Sequence, residues 1–512
     1  MNRFFNILSN SKDVFFYTFA FGLVAHGFVF FNEFYSHDSL FFEAHSNVLI
    51  GLGRWGQSVL YLIRGQVFPP TLIGFFSLLL LALTTTLFLD LFGIKRKLNI
   101  IVVCGVLTTS FVITIIAATY IFFLDANMLA LFFVVLSCSI IKYISKIVYR
   151  IVCASIFLWL SLSLYQAYLQ VYTLLCSLFV LFGCINGKRY KDIFKEIGEY
   201  LVILLVSLVL YKISVVISLE VTSVHSLSTG YNTIESVDDF ISVKHLLLLI
   251  FNTVPNAFKN IVEYPSFFKT SAKIELLLIN SFIAMYFIYL QTRNNRYRLF
   301  LSQLLFIVFI PFFANTVFIL SKGLMHNAME YSYTIVVLVP LLIAINAQNH
   351  GVRISEKKWN ALTCIICTVL SLLIFSNTVF SNQAYLKKEL ESKSSLSIAT
   401  RILDRIEQQP KFEPNKTRVC FIGDANMNPY FMVDRVKIEG KKKTATGLGY
   451  YLSFTYNTAQ YYKTIMGVIL PGCDYKKLDM EYVNNLPLFP SSDSVQMQND
   501  QVIVKLGYNH EW

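Results

Sequence analysis

The sequence predicts a polytopic α-helical membrane protein with about 11 transmembrane helices, interfacial helices in the first outer loop and a small C-terminal α/β domain. Of its 512 residues, 55% are hydrophobic and only 14% are charged, and the mean hydropathy is +0.57. Many windows reach the roughly 20 apolar residues that a helix needs to cross a bilayer. The net charge of +12 would suggest nucleic acid in a soluble protein. In a membrane protein it is typical of positive cytoplasmic loops, so we expect no nucleic-acid partner.

The distribution of Lys and Arg predicts the orientation of the chain. The first apolar stretch, DVFFYTFAFGLVAHGFVFF, is followed by no small-residue cleavage site and is expected to stay as the first span. If the N-terminus is cytoplasmic, the basic segments GIKRKLN, KYISKIVYR, NGKRYKDIFK, TRNNRYR and NHGVRISEKKW all face inward. The short outer loops carry almost no Lys or Arg, with Lys322 the main exception. The positive-inside rule therefore places the C-terminal region outside.

The chain changes character near residue 382, which divides it into a predicted transmembrane domain (1–381) and a predicted outer domain (382–512). In the outer domain, AYLKKELESKSSLSIATRILDRIEQQ has the spacing of an amphipathic helix, and TRVCFIGD and VIVKLGY have the composition of strands. Cys420 and Cys473 would pair if this region is exported and stay reduced if it is not. The CIIC segment at Cys364 and Cys367 lies in an apolar run, which indicates a structural role.

The first outer loop, residues 32–70, is unusually polar for this chain. From Phe41 onward, apolar residues recur at steps of three or four, and a second stripe is polar. The stripes predict a helix in the interface plane, broken near Gly51 and Gly53, with its apolar face toward lipid. The apolar stripe consists of Phe41, Ala44, Val48, Leu52, Trp55, Val59 and Leu62, and the polar stripe of Glu43, Asn47, Arg54, Ser58 and Tyr61.

Several of these loop residues are candidates for chemistry at headgroup depth. Asp38 is either a helix N-cap or a catalytic carboxylate, and Glu43 is either part of a solvated face or a further catalytic site residue. Arg54 in GRW needs an anionic partner, a carboxylate or a lipid phosphate, and Arg64 either does the same or snorkels. The spacing of the neighbouring histidines matches no standard zinc site, so we assign no metal and treat His37, with Trp55, as a sugar-contact candidate.

Other outer loops supply further candidates. Asp125 is a lone carboxylate in the short turn after ATYIFF, where an acid at the membrane edge either marks the interface or has a function. Sugar-binding candidates are the polar and aromatic residues Tyr165, Gln166, Tyr168 and His326, and less directly Lys322, Glu330 and Tyr331. This set suits a sugar linked through phosphate to a long isoprenoid. A cation stabilises the departing phosphate, and one carboxylate takes a proton from an acceptor hydroxyl in an inverting displacement.

The layout resembles the GT-C superfamily of membrane glycosyltransferases. Within it, YSHDS followed by GLGRW is similar to the phage-type, serotype-converting O-antigen glucosyltransferases of Gram-negative bacteria, most clearly over 32–127. The resemblance implies Asp38 as the base, Asp125 as a second acid and Arg54 at the donor phosphate. It also implies undecaprenyl-phosphate glucose as donor and a periplasmic, lipid-linked O-antigen acceptor at the bacterial inner membrane. No cofactor is expected, with a divalent metal left open.

Three other function classes remain open from the sequence. A flippase or transporter of lipid-linked saccharide would carry paired charges in mid-membrane, and only Lys212 fits that pattern. An O-antigen polymerase or ligase would use cationic groups in a large later loop, and the segment 220–273 offers Lys244, His245 and Lys259. A structural membrane protein, whose first outer loop is only a scaffold, is the third alternative.

Overall fold

In a computed structural model, the structure describes residues 11–35, 38–40, 45–227, 243–263, 270–352, 355–425, 428–430 and 457–508. Within these ranges ten helical segments are long and apolar enough to cross a membrane, which supports a polytopic membrane protein. These segments are Lys12–Phe30, Pro70–Leu91, Lys97–Thr119, Ile121–Tyr143, Ile147–Leu164, Gln166–Ile185, Tyr190–Thr222, Thr270–Thr292, Arg296–Phe313 and Glu356–Glu407.

Helices dominate the chain up to residue 407. In chain order they are α1 (Lys12–Phe30), α2 (His45–Gly51), α3 (Trp55–Ile63), α4 (Pro70–Leu91), α5 (Lys97–Thr108), α6 (Phe111–Thr119), α7 (Leu124–Tyr143), α8 (Ile147–Leu164), α9 (Leu169–Ile185), α10 (Tyr190–Thr222), α11 (Val243–Glu263), α12 (Thr270–Thr292), α13 (Arg296–Leu304), α14 (Ile310–Phe313), α15 (Thr316–Leu320), α16 (Tyr331–Val336), α17 (Val339–Asn349) and α18 (Glu356–Glu407). A π-helical segment, Leu305–Phe309, joins α13 to α14.

The span that the sequence predicts just before NHGVRISEKKW is not one continuous helix. It consists of α16 and α17, so it is absent from the ten long apolar segments. Pro340 explains the break, because it has no N–H to donate to the carbonyl of Val336, where α16 ends. The break in the interfacial helix that the sequence predicts near Gly51 and Gly53 is present, because α2 ends at Gly51 and α3 begins at Trp55.

The last apolar span and the predicted amphipathic helix that follows it are one element. α18 has 52 residues and contains no Gly or Pro, so nothing in its backbone chemistry stops it. At 1.5 Å per residue its length is about 78 Å, more than twice the ~30 Å thickness of a hydrocarbon core. The helix therefore runs through the predicted boundary at residue 382 and carries the chain well beyond the bundle.

A small α/β unit follows α18. It contains β1 (Arg418–Ile422), α19 (Thr458–Ile465), α20 (Met480–Asn485), β2 (Val495–Gln498) and β3 (Gln501–Lys505). The sheet has the order β1-β3-β2, with β3 parallel to β1 and antiparallel to β2. Both strands that the sequence predicts are present as β1 and β3. A disulfide joins Cys420 to Cys473, which decides the pairing that the sequence left open.

The bundle has two ends that differ in charge. The end where α1 and α6 finish and where α7 begins is called the Asp125 face here, and the opposite end is called the Lys142 face. Basic residues collect at the Lys142 face, among them Lys97, Lys142, Lys146 and Arg189. Apolar side chains on the outside of α10, such as Leu205 and Val209, are more than half exposed, which fits a lipid-facing surface.

Candidate functional site

The first outer loop contributes two short helices to the Asp125 face. Val48, Val59 and Leu62 are exposed on them, whereas Ser58 and Tyr61 are buried against the protein. The predicted apolar and polar stripes thus lie on the expected sides at these positions. Asn47 departs from the prediction, because it belongs to the polar stripe and is exposed.

The break between α2 and α3 requires a glycine at position 53. Gly53 has φ +70°, a left-handed conformation that L side chains rarely adopt. A Cβ atom there would lie 2.5 Å from the hydroxyl oxygen of Tyr211 on α10. That hydroxyl donates to the Gly53 carbonyl at 3.1 Å. The break is therefore tied directly to the bundle.

Arg54 stands immediately after this break and is half-buried. Its Nε donates to Oε1 of Gln166 at 3.4 Å, and its guanidinium lies 4.7 Å from the centroid of the Tyr165 ring. Gln166 is itself fixed, because its Nε2 donates to the carbonyl of Leu52 at 2.9 Å. The ring face of Tyr165 and the amide of Gln166 thus contact the guanidinium, whose planar set of N–H donors suits carboxylate or phosphate.

Trp55, a predicted sugar contact, holds α3 against the neighbouring helices. Its indole Nε1 donates to Oγ of Ser214 at 3.0 Å, and Trp159 donates to the same hydroxyl at 3.0 Å. The two indole rings are 5.6 Å apart. Trp55 therefore anchors α3 against α8 and α10 and supports its neighbour Arg54.

Arg64 and Asp125, which are 61 residues apart, form a buried ion pair. Arg64 Nη1 lies 3.1 Å from Asp125 Oδ2, and the two side chains are 8% and 2% exposed. Arg64 Nη2 also donates to the carbonyl of Phe122 at 2.9 Å, and Asp125 Oδ1 accepts from the N–H of Ala126 at 2.8 Å. Burial lowers the pKa of the Arg64 guanidinium, and the Asp125 carboxylate opposes that shift.

The Tyr165–Tyr168 turn lies beneath Arg54. Tyr168 is buried, and its ring centroid is 6.0 Å from that of Tyr165 and 6.2 Å from that of Tyr331. Within the described parts of the chain, the Tyr168 hydroxyl has no hydrogen-bond partner. A buried hydroxyl without a partner is costly, and such groups collect at functional sites.

His326 lies in the loop before α16. Its Nδ1 accepts from the N–H of Ala328 at 3.1 Å, and its ring packs edge-on against Tyr120 at 5.9 Å. Tyr120 in turn contacts Phe122, whose carbonyl holds Arg64. The structure thus connects this predicted residue to the Arg64–Asp125 pair through two aromatic rings.

Sequence reasoning missed a polar network around Glu330. Glu330 is buried, and Asn260 of α11 donates to its Oε1 at 3.1 Å. Tyr333 donates to Oδ1 of Asn315 at 2.7 Å, and Asn315 donates to Oδ1 of Asn256 at 3.2 Å. The available signal was the pair of asparagines four residues apart, Asn256 and Asn260, since i and i+4 share one face of a helix.

Three predicted site residues lie wholly or partly outside the described structure. His37 and Glu43 lie outside the described residues. Asp38 begins a 3-10 turn, Asp38–Leu40, of which the structure describes the backbone path but not the aspartate side chain. In the described ranges, no group of three His, Cys, Asp or Glu residues is arranged to hold a metal.

Comparison with known proteins gives one match. The sequence model of the family described as glucosyl transferase GtrII matches residues 27–344, more than half of the chain. The matched region includes the first outer loop, the Arg64–Asp125 pair and the Glu330 network. No curated protein and no solved structure matches the chain.

Proposed function

The chain belongs to the glucosyl transferase GtrII family, and we propose that it transfers glucose or a related hexose from an undecaprenyl-phosphate carrier to an O-antigen or other lipid-linked glycan. Family membership makes it a glucosyltransferase, which favours the enzyme over the flippase, polymerase and scaffold alternatives. The identity of the lipid-linked donor, the identity of the glycan acceptor and the roles of individual residues are what we propose. The observation that carries it is the oriented guanidinium of Arg54 at the break between two helices with lipid-facing apolar stripes.

The proposed place of reaction is the periplasmic side of the inner membrane. The collection of basic residues at the Lys142 face supports a cytoplasmic position for that end, by the positive-inside rule. The Asp125 face then lies outside, where the sugar of a membrane-anchored donor protrudes. Residues 1–381 would form the catalytic transmembrane domain and 382–512 a periplasmic domain, joined through the continuous helix α18.

The proposed reaction is one inverting displacement. Asp38 takes the proton of an acceptor hydroxyl as its oxygen bonds to the anomeric carbon, and the bond from that carbon to the phosphate oxygen breaks. The phosphate leaves with the electron pair, and Arg54 stabilises its developing charge. Asp125, paired with Arg64, would keep the wall of the site in place and supply a second acid, with Glu43 as a further carboxylate.

The remaining candidates would contact the sugars or support those contacts. His326 and His37 offer polar contacts to donor or acceptor, and Tyr165, Gln166 and Tyr168 offer aromatic and amide groups. Trp55 would act indirectly through the position of α3. We propose no metal in this reaction, because phosphate is already a good leaving group near neutral pH.

Arg54 variants test the phosphate assignment. Lys cannot reproduce the planar guanidinium of Arg stacked on Tyr165, so Arg54→Lys should lower kcat/KM for the donor at least about tenfold, and Arg54→Ala should lower it more. The measurement is transfer from a synthetic polyprenyl-phosphate glucose in membranes, with donor concentration varied. Arg189→Lys is the matched control, because that side chain is 85% exposed at the Lys142 face. An unchanged kcat/KM for the donor in both Arg54 variants would disprove the assignment.

A further inference from the structure

The turn that begins with Asp38 is held by the C-terminal region of the chain. The carbonyl of Leu40 accepts two hydrogen bonds from α19, one from Gln460 Nε2 at 2.8 Å and one from Thr464 Oγ1 at 2.9 Å. Gln460 Nε2 also donates to Thr464 Oγ1 at 2.9 Å, so the two donors form one unit. More than 400 residues separate the turn from these partners, and both contacts exist only through the tertiary fold.

Apolar packing reinforces these hydrogen bonds. Leu40 is fully buried, and it belongs to the hydrophobic cluster of the C-terminal unit, with Ile398, Ile402 and Tyr461. Ser39 is only 5% exposed. The turn therefore belongs structurally to the C-terminal unit, although its neighbours in sequence belong to the first outer loop.

The partner surface is itself firmly anchored. Tyr462 of α19 donates to the carbonyl of Ala399 on α18 at 2.9 Å, and both residues are buried. Nearby on α18, Lys388 and Glu391 form a buried ion pair at 2.8 Å. The end of α18 beyond the bundle and α19 thus form one support, which connects the turn to the transmembrane core through a continuous helix.

We infer that Gln460 and Thr464 are positioning residues, which hold the Asp38 turn where its carboxylate can reach an acceptor hydroxyl. The inference rests on the proposed role of Asp38 as base. Two uncharged donors on one carbonyl fix the backbone two residues after Asp38. A displacement of about 1 Å in such a group is enough to lower a rate roughly 100-fold.

The first arm of the test is kinetic. Gln460→Met and Thr464→Val keep side chains of similar size, remove both donors to the Leu40 carbonyl and add no charge. In the double variant kcat should fall by roughly 10- to 100-fold, while the donor KM stays within about twofold, because donor binding is not altered. Thr464→Ser, which keeps the hydroxyl, should retain most activity. Ala459→Ser, at an exposed position of the same helix, is the matched control.

The second arm does not depend on activity. A thiol introduced by Ser39→Cys is buried while the turn is docked, so a membrane-impermeant maleimide should label it slowly. Adding the Gln460→Met and Thr464→Val changes should accelerate labelling by about tenfold or more, through local opening. The seven free cysteines of the chain all lie on long apolar helices, and Cys420 and Cys473 are in the disulfide, so they interfere little.

The two arms separate the possible outcomes. Faster labelling together with a lower kcat supports the inference. Unchanged labelling would overturn the docking, and faster labelling with an unchanged kcat would overturn the positioning role. If the unaltered protein transfers nothing from the lipid-linked donor, the proposed function fails, and the labelling arm still decides whether α19 holds the turn.

Discussion

Breaking the Arg64–Asp125 pair from either side should give unequal losses of stability. The charges lie 3.1 Å apart, and the side chains are almost completely buried. At an effective dielectric constant near 20, their attraction is about 5 kcal/mol. Asp125→Leu leaves a buried guanidinium that stays charged, which should cost about 3–5 kcal/mol. Arg64→Met should cost less, because the remaining carboxyl group can take up a proton and become neutral.

The double variant Arg64→Met/Asp125→Leu tests this reasoning. It leaves no unpaired charge, so most of the lost stability should return, with a coupling energy of about 2–3 kcal/mol. The assay is thermal unfolding of the purified protein in detergent. An unfolding entropy of ~2.1 cal/mol/K per residue implies that Asp125→Leu lowers the midpoint by about 3–5 °C. If the decrease in unfolding midpoint of the double variant equals the sum of the decreases in the two single variants, the two side chains do not act as one unit and the reasoning is refuted.

Three further predictions follow from single features of the structure. Gly53→Ala should destabilise the protein by at least about 1–2 kcal/mol, measured by the unfolding midpoint, because alanine is strained at positive φ and its Cβ meets a tyrosine hydroxyl. Cys420→Ser should remove up to about 4 kcal/mol, the loop-entropy value for the 53-residue separation from Cys473, and the midpoint of this variant should not respond to reductant. Lys388→Met should cost less than about 3 kcal/mol in the same assay, because the remaining Glu391 carboxyl group can take up a proton, and adding Glu391→Leu should restore most of the loss.

The sequence predicted the features that depend on local composition. Apolar runs located the spans, and glycines at 51 and 53 marked the break between two interfacial helices. Pro340 was visible as well, yet its effect was overlooked, since hydropathy does not register a missing N–H. Hydropathy also does not show that α18 is continuous, because its first part is apolar and its second part is amphipathic. The absence of Gly and Pro from both parts lets them form one helix.

The site was less predictable because its contacts are distant in sequence. Arg64 and Asp125 were both selected as candidates, but periodicity contains no signal that they pair with each other. Periodicity also contains no signal for the contact of Trp55 with Ser214, which lies on another helix. It contains none for the hydrogen bonds from α19 to the Leu40 carbonyl either. Asparagines four residues apart on one helix face, such as Asn256 and Asn260 of α11, are the one sequence signal that would have improved the prediction.

The most direct test of the proposed mechanism is the transfer rate of Asp38→Asn in membranes, with polyprenyl-phosphate glucose as donor. Loss of a general base should lower the rate by about 10²- to 10⁴-fold at a normal protein level, with little change in donor KM. Asp404→Asn, an exposed carboxylate on α18, serves as the control and should keep its full rate. An Asp38→Asn protein that transfers glucose at the unaltered rate would contradict the account.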